Sequence, residues 1–114
     1  MAFSLNTRKV GDVVILDMSG RLAIGEAVLL LRTTVRRFLD DGSSKFILNL
    51  GNVSHIDSGG LGELVAIYTS VRNRKGDVKL LNLDKRAKDL LQMTKLLTVF
   101  DTYHDETAAI QSLA

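Results

Sequence analysis

The 114-residue chain has no cysteine, no proline and no tryptophan. Without cysteine it can form no disulfide, no thiol nucleophile and no cysteine zinc site. Two histidines, His55 and His104, are too few for a histidine-rich metal site. Aromatic residues make up only 5% of the chain, so the core has to be aliphatic. The longest apolar run is about "AVLLL", far short of the roughly 20 residues that span a membrane. The opening stretch "MAFSLNTRKV" has no apolar segment of signal-peptide type. A soluble, cytoplasmic protein without membrane contact is expected.

Charge of one sign is also missing. Fifteen basic against thirteen acidic residues leave a net +2, too balanced to announce a nucleic-acid binder. Arg72, Arg74, Lys75, Lys79, Lys85, Arg86 and Lys88 fall in one region, but no aromatics interleave to stack on bases. They read as a solvated helix end and loop.

What is present is a globular pattern. Hydrophobic residues at 46% and charged residues at 25% argue against disorder, and the length suits one domain, residues 1–114. Residues 4–10 and 13–19 are β-rich runs around Gly11-Asp12, which predicts an antiparallel hairpin. In "GEAVLLLRTTVRRFLDDG", Val28, Leu31, Val35, Phe38 and Leu39 recur at helical spacing, and Gly42 is placed to end the helix in the left-handed region. The run "KFILNL", residues 45–50, suits a strand buried on both faces.

A second helix carries Leu61, Leu64, Val65, Tyr68 and Val71 on one side, with Gly76 at its end. A strand over residues 77–83 follows. Asp84 then caps a helix whose Ala87, Leu90 and Leu91 face inward. A short strand near residues 99–103 and a last helix from about Asp105 complete the chain. Alternating strands and helices after a hairpin predict an α/β fold, with a mixed sheet of four to five strands and about four helices.

The stretch "NVSHIDSGGLGEL", residues 52–64, stands out because three glycines crowd the first turn of a helix. Glycine in a helix costs roughly 1 kcal/mol relative to alanine, and such rule-breaking tends to mark function. "GNVSH" is expected to be a short loop after the strand, with Asp57 or Ser58 capping the helix. Gly59 and Gly60 are expected to clear side chains from around Ser58, and Gly62 to let the helix pack on the sheet. A phosphate on Ser58 would sit at the positive end of the helix dipole and add about two negative charges at the surface. On the residues alone, "DSGG" is equally a helix cap with a tight turn. His55, Asp57 and Ser58 are too crowded in sequence for a hydrolase triad, and "GGLG" is neither a dinucleotide fingerprint nor a phosphate-binding loop.

"LNLGNVSHIDSGGLGEL" resembles the core motif of the STAS domain family, bacterial anti-sigma factor antagonists in particular. Asn49 and Leu50 match the strand end, and Asp57, Ser58, Gly60, Leu61 and Gly62 match the motif. The resemblance extends over nearly the whole chain. "DVVILDMSGRL" is similar to the family's second strand, and "KLLNLDKRAKDLLQMTKLLTVFDTYHDETAAI" to its closing section.

The resemblance implies a binding protein for transcription regulation in a stress response, not an enzyme, and without cofactor or metal. Its partner would be an anti-sigma factor that is also an ATP-binding serine kinase of histidine-kinase-like fold. Phosphorylation of Ser58 would break that complex, and a PP2C-type phosphatase would restore it. Asp57, Gly59, Gly60, Leu61, Gly62, Ala23 and Asn52 would lie with Ser58 at the contact. A non-switching scaffold or transporter accessory role is the alternative, and a weak homodimer is left open. The chain departs from the motif at Gly59, where a second serine is common, and at Ala23, where an acid is common. Glu63 replaces an apolar or small residue, and Lys95 a frequent glycine.

Overall fold

The computed structural model describes residues 2–114. In chain order it comprises β1 (Ser4–Val10), β2 (Val13–Leu22), α1 (Glu26–Asp40), β3 (Lys45–Ile56) and α2 (Ser58–Asn73). Then come β4 (Asp77–Leu81), α3 (Lys85–Met93), β5 (Asp101–Tyr103) and α4 (Glu106–Ser112). The five strands form one sheet in sequence order, with β1 antiparallel to β2 and every later pair parallel. The expected mixed sheet and four helices are therefore present.

The two faces of the sheet are covered unequally. Val14, Leu16 and Met18 of β2, Phe46 and Leu48 of β3, and Val78 and Leu80 of β4 pack with Leu31, Val35, Leu64, Ile67, Val71 and Leu91 of the first three helices. Residues between them in sequence point the other way, as strand alternation requires. There Val13, Ile15, Ile47 and Leu81 are covered by Ala109 of α4 and by Leu113. This double burial explains why "KFILNL" is apolar without a break. Among the described residues, no helix is long and apolar enough to cross a membrane.

Four local expectations need correction. First, "GNVSH" is not a loop, because β3 continues through it to Ile56 beside a long β2. The register jumps from Asp17↔Asn49 to Ser19↔Asn52, and again from Gly20↔Val53 to Arg21↔His55. Each jump inserts one extra residue into β3 as a bulge, so pairing persists where alternation fails. Second, β4 ends at Leu81 and β5 begins at Asp101, both shorter than their apolar runs. Third, α2 is ended by Lys75 in the left-handed region (φ 62°), not by Gly76. A Cβ on Gly76 would lie 2.2 Å from the Ser44 carbonyl oxygen, so that glycine serves close approach. Fourth, Lys79 is no part of a solvated basic stretch. It is 5% exposed, between Asp101 at 2.6 Å and Asp77 at 3.1 Å.

Other ends follow the sequence. Gly42 closes α1 at φ 97°, its N–H reaching Leu39 O at 3.0 Å while Ser43 N–H reaches Phe38 O at 2.9 Å. Asp84 and Asp105 cap α3 and α4. Lys95 ends α3 at φ 63°, a conformation that glycine adopts more cheaply.

Candidate functional site

The site is the junction where β3 passes into α2. Asp57 takes the cap position in an extended conformation, and its carboxylate accepts the Gly60 N–H at 2.8 Å. The same carboxylate accepts the Ile24 N–H at 3.0 and 3.2 Å on its two oxygens, across 33 residues of sequence. The Asp57 N–H in turn donates to Leu22 O at 3.3 Å. One side chain thus caps α2 and staples residues 22–24 onto its first turn. The Gly60 N–H, and next the Ile24 N–H, hold the Asp57 carboxyl below the usual carboxylate range. Asp57 is an anion at neutral pH.

With capping done by Asp57, Ser58 is left exposed at the first helical position. Among the described residues its hydroxyl has no hydrogen-bond partner. The glycines divide their work differently from expectation. Gly60 is buried, and a Cβ there would sit 2.1 Å from Leu22 O. A Cβ on Gly59 would sit 2.7 Å from Ile24 Cβ. Neither would point into open space above Ser58. Gly62 is the exposed one, with nothing within 4 Å of an added Cβ. Close packing against the strand therefore falls to Gly60, and the clear surface to Gly62. The Asp57 staple is the cause, because it draws residues 22–24 over positions 59 and 60.

The remaining predicted residues are spread around this centre. Ala23 is half-buried beside Ile24, and Leu61 is half-buried against the core. Asn52 is exposed on β3, in register with Ser19. A hollow of about 290 Å³ is lined by Val53, Ser54, His55 and Ile56 of β3 with Arg86 and Leu90 of α3. His55, Asp57 and Ser58 form no relay. The Asp57 carboxylate is spent on backbone donors, and no hydrogen bond joins His55 to Ser58 among the described residues.

Glu63 is 3% exposed in the second turn of α2 and bonded by the Arg32 guanidinium at 2.9 and 3.0 Å. Glu63 is thus the buried half of a pair whose other half, Arg32 of α1, is exposed. The residue that sequence reasoning missed is Ile24. It is 79% exposed next to Gly59, and as the last residue of the apolar run Leu22-Ala23-Ile24 it gave no sign of that exposure in the sequence.

Comparison with known proteins agrees with this architecture. The family profile for the STAS domain matches residues 4–109. A protein of Thermotoga neapolitana that carries the provisional name anti-sigma factor antagonist is 33% identical over 105 residues, covering 90% of this chain and 93% of that one. The crystal structure of a similarly named protein of Thermotoga maritima superposes with a TM-score of 0.89 at 30% identity, covering 96% of this chain and 93% of that chain. The phosphorylated form of the Bacillus cell fate determinant SpoIIAA shares the fold, with a TM-score of 0.74 at 22% identity over 97% of this chain and 99% of that chain. With the profile spanning both the sheet and the β3–α2 junction, the chain belongs to the STAS domain family.

Proposed function

We propose that this chain is an anti-sigma factor antagonist switched at Ser58. Unphosphorylated, it binds an anti-sigma factor that is also a serine kinase, and so frees a sigma factor for transcription. Transfer of a phosphoryl group to the Ser58 hydroxyl breaks the complex, and a PP2C-type phosphatase reverses it.

The observation that carries this reading is the division of labour between Asp57 and Ser58. Asp57 does the capping, so Ser58 is free to change its charge without loss of a fold contact. A phosphate there meets the positive end of α2, which tolerates it in the free protein. In a complex the same dianion, beside the Asp57 carboxylate, would be desolvated against the partner surface. That penalty releases the partner while leaving the fold intact.

The test uses wild-type and Ser58→Asp baits in lysate of the native host, after circular dichroism shows that both fold alike. Capture by wild type of an ATP-binding kinase that then phosphorylates Ser58, with loss of capture by Ser58→Asp, is expected. Equal capture by both baits would refute the switch. If the common prey were a transporter component, the non-switching accessory role would take its place.

A further inference from the structure

Ile24 is exposed to 79% although it is large and apolar, and three features show that its place at the surface is built. Its backbone is fixed, because both Asp57 oxygens hold its N–H. Its side chain is β-branched, so few rotamers are open to it and little entropy is lost when a partner covers it. Room for it is made by Gly59, since any Cβ at that position would collide with Ile24 Cβ at 2.7 Å. Gly59 sacrifices up to about 1 kcal/mol of helix stability. Within this chain, a side chain left 79% exposed returns little of that cost.

A purely structural role for Ile24 would be a hydrophobic staple onto the first turns of α1, where Leu29 is its natural mate. Leu29 is 56% exposed, so no such pair is buried. Ile24 instead borders a hollow of about 470 Å³ lined by Phe3, Ala23, Ala27 and Leu30, with Arg21 and Glu26 also on its walls. Apolar residues with a charged rim are the composition of a protein contact, and a rigid aliphatic side chain can anchor one by filling a pocket on the partner.

We propose that Ile24 is the apolar anchor that selects the partner at Ser58. This rests on the reading of Ser58 as the switched residue. The carboxylate that holds Ile24 belongs to Asp57, the residue immediately before Ser58, so anchor and acceptor are parts of one rigid frame. Ile24 lies against Gly59, the residue after Ser58, so a protein docked over Ser58 meets Ile24 at its side. The occupant is therefore the serine kinase itself, and it carries an apolar socket beside its phosphoryl-transfer site. Selection works because a polar or charged surface opposite Ile24 would be desolvated without compensation.

The experiment titrates the purified serine kinase recovered with the wild-type bait against wild type, Ile24→Asp, Ile24→Val, Met93→Asp and Ser58→Asp. Amide spectra of each variant first establish an unchanged fold. Met93, 81% exposed on the last turn of α3, controls for loss of any exposed apolar group. Ile24→Asp is expected to raise Kd about 100-fold and Ile24→Val about 3-fold, by loss of a buried aliphatic anchor. Met93→Asp should leave Kd unchanged. Weakening by Ser58→Asp with wild-type affinity in Ile24→Asp would overturn the anchor and leave the switch standing. Wild-type affinity in both variants, or no kinase recovered at all, would overturn both. A wild-type dimer in sedimentation that Ile24→Asp dissolves, with kinase binding unaffected, would assign the surface to a second copy of the chain and overturn the kinase socket.

Discussion

Replacing Gly60 by alanine tests the geometry of the junction most directly, because two effects of opposite sign meet there. Helix propensity alone favours alanine by about 1 kcal/mol. Against it, the new Cβ would lie 2.1 Å from Leu22 O and 3.0 Å from Leu22 C and Cγ. Carbon and carbonyl oxygen cannot approach so closely, so β2 and the first turn of α2 must part by roughly 1 Å at a cost of about 1–3 kcal/mol for overpacking. Parting lengthens the bonds from Asp57 to Ile24, now 3.0 and 3.2 Å, past useful range and forfeits about 1 kcal/mol more. Gly60→Ala should therefore destabilise by about 1–3 kcal/mol net.

At Gly62, two positions on, an added Cβ meets nothing within 4 Å, and φ is not positive. There the propensity term stands alone, so Gly62→Ala should stabilise by about 0.4–1 kcal/mol. For a chain of this length, 1 kcal/mol moves Tm by about 4 °C. Urea denaturation followed by circular dichroism reads both variants, with the midpoint moving in opposite directions at unchanged m. A Gly60→Ala protein as stable as wild type would refute the close approach. So would equal destabilisation by both substitutions, which would assign the cost to helix N-terminal glycine in general.

The other expectations concern charge. Arg8 on β1 bonds Asp17 on β2 at 2.7 Å and Glu106 on α4 at 3.0 Å, and the guanidinium contact holds both carboxyls below their usual range. Depressed folded-state values mean that the stabilisation is present above about pH 4 and is lost as pH falls through them. These groups are partly exposed, so Arg8→Met should lower stability by only about 1 kcal/mol at pH 7, and the gap from wild type should close in acid. Urea midpoints between pH 2.5 and 7 measure this, and a constant gap would sink it. Arg32→Met takes the partner from the buried Glu63 carboxylate and, because Arg32 itself is half exposed, should cost about 1 kcal/mol, while Arg32→Met with Glu63→Met should recover most of it. A double-mutant cycle showing no coupling would disprove the pair.

How much was legible follows from the range of the interactions. The hairpin at Gly11, the apolar strand from Lys45 and the helices over Val28–Leu39 and Leu64–Val71 rest on periodicity within one segment, and all formed as read. Gly42 ended its helix because its φ of 97° is a local property. The extension of β3 through "GNVSH" was hidden because two bulges destroy alternation while β2 supplies the pairing. Lys79 looked solvated because its nearer acid, Asp101, comes from another strand. The glycines of the motif were visible as glycines, but their neighbours were not.

The sequence by itself determined the class of fold, the order of its elements and the place of the candidate site at Ser58. Those depend on apolar spacing, turn residues and capping, which act within a few residues. Only the tertiary structure decided that Asp57 is the cap and Ser58 the free hydroxyl. It also decided that Gly60 packs under Leu22 while Gly62 faces solvent, and that Ile24 stands exposed beside Gly59. The place of Ile24 depends on the carboxylate of Asp57 reaching the backbone of a residue 33 positions earlier. No local pattern encodes such a contact, because it exists only once β2 and β3 lie side by side in the sheet.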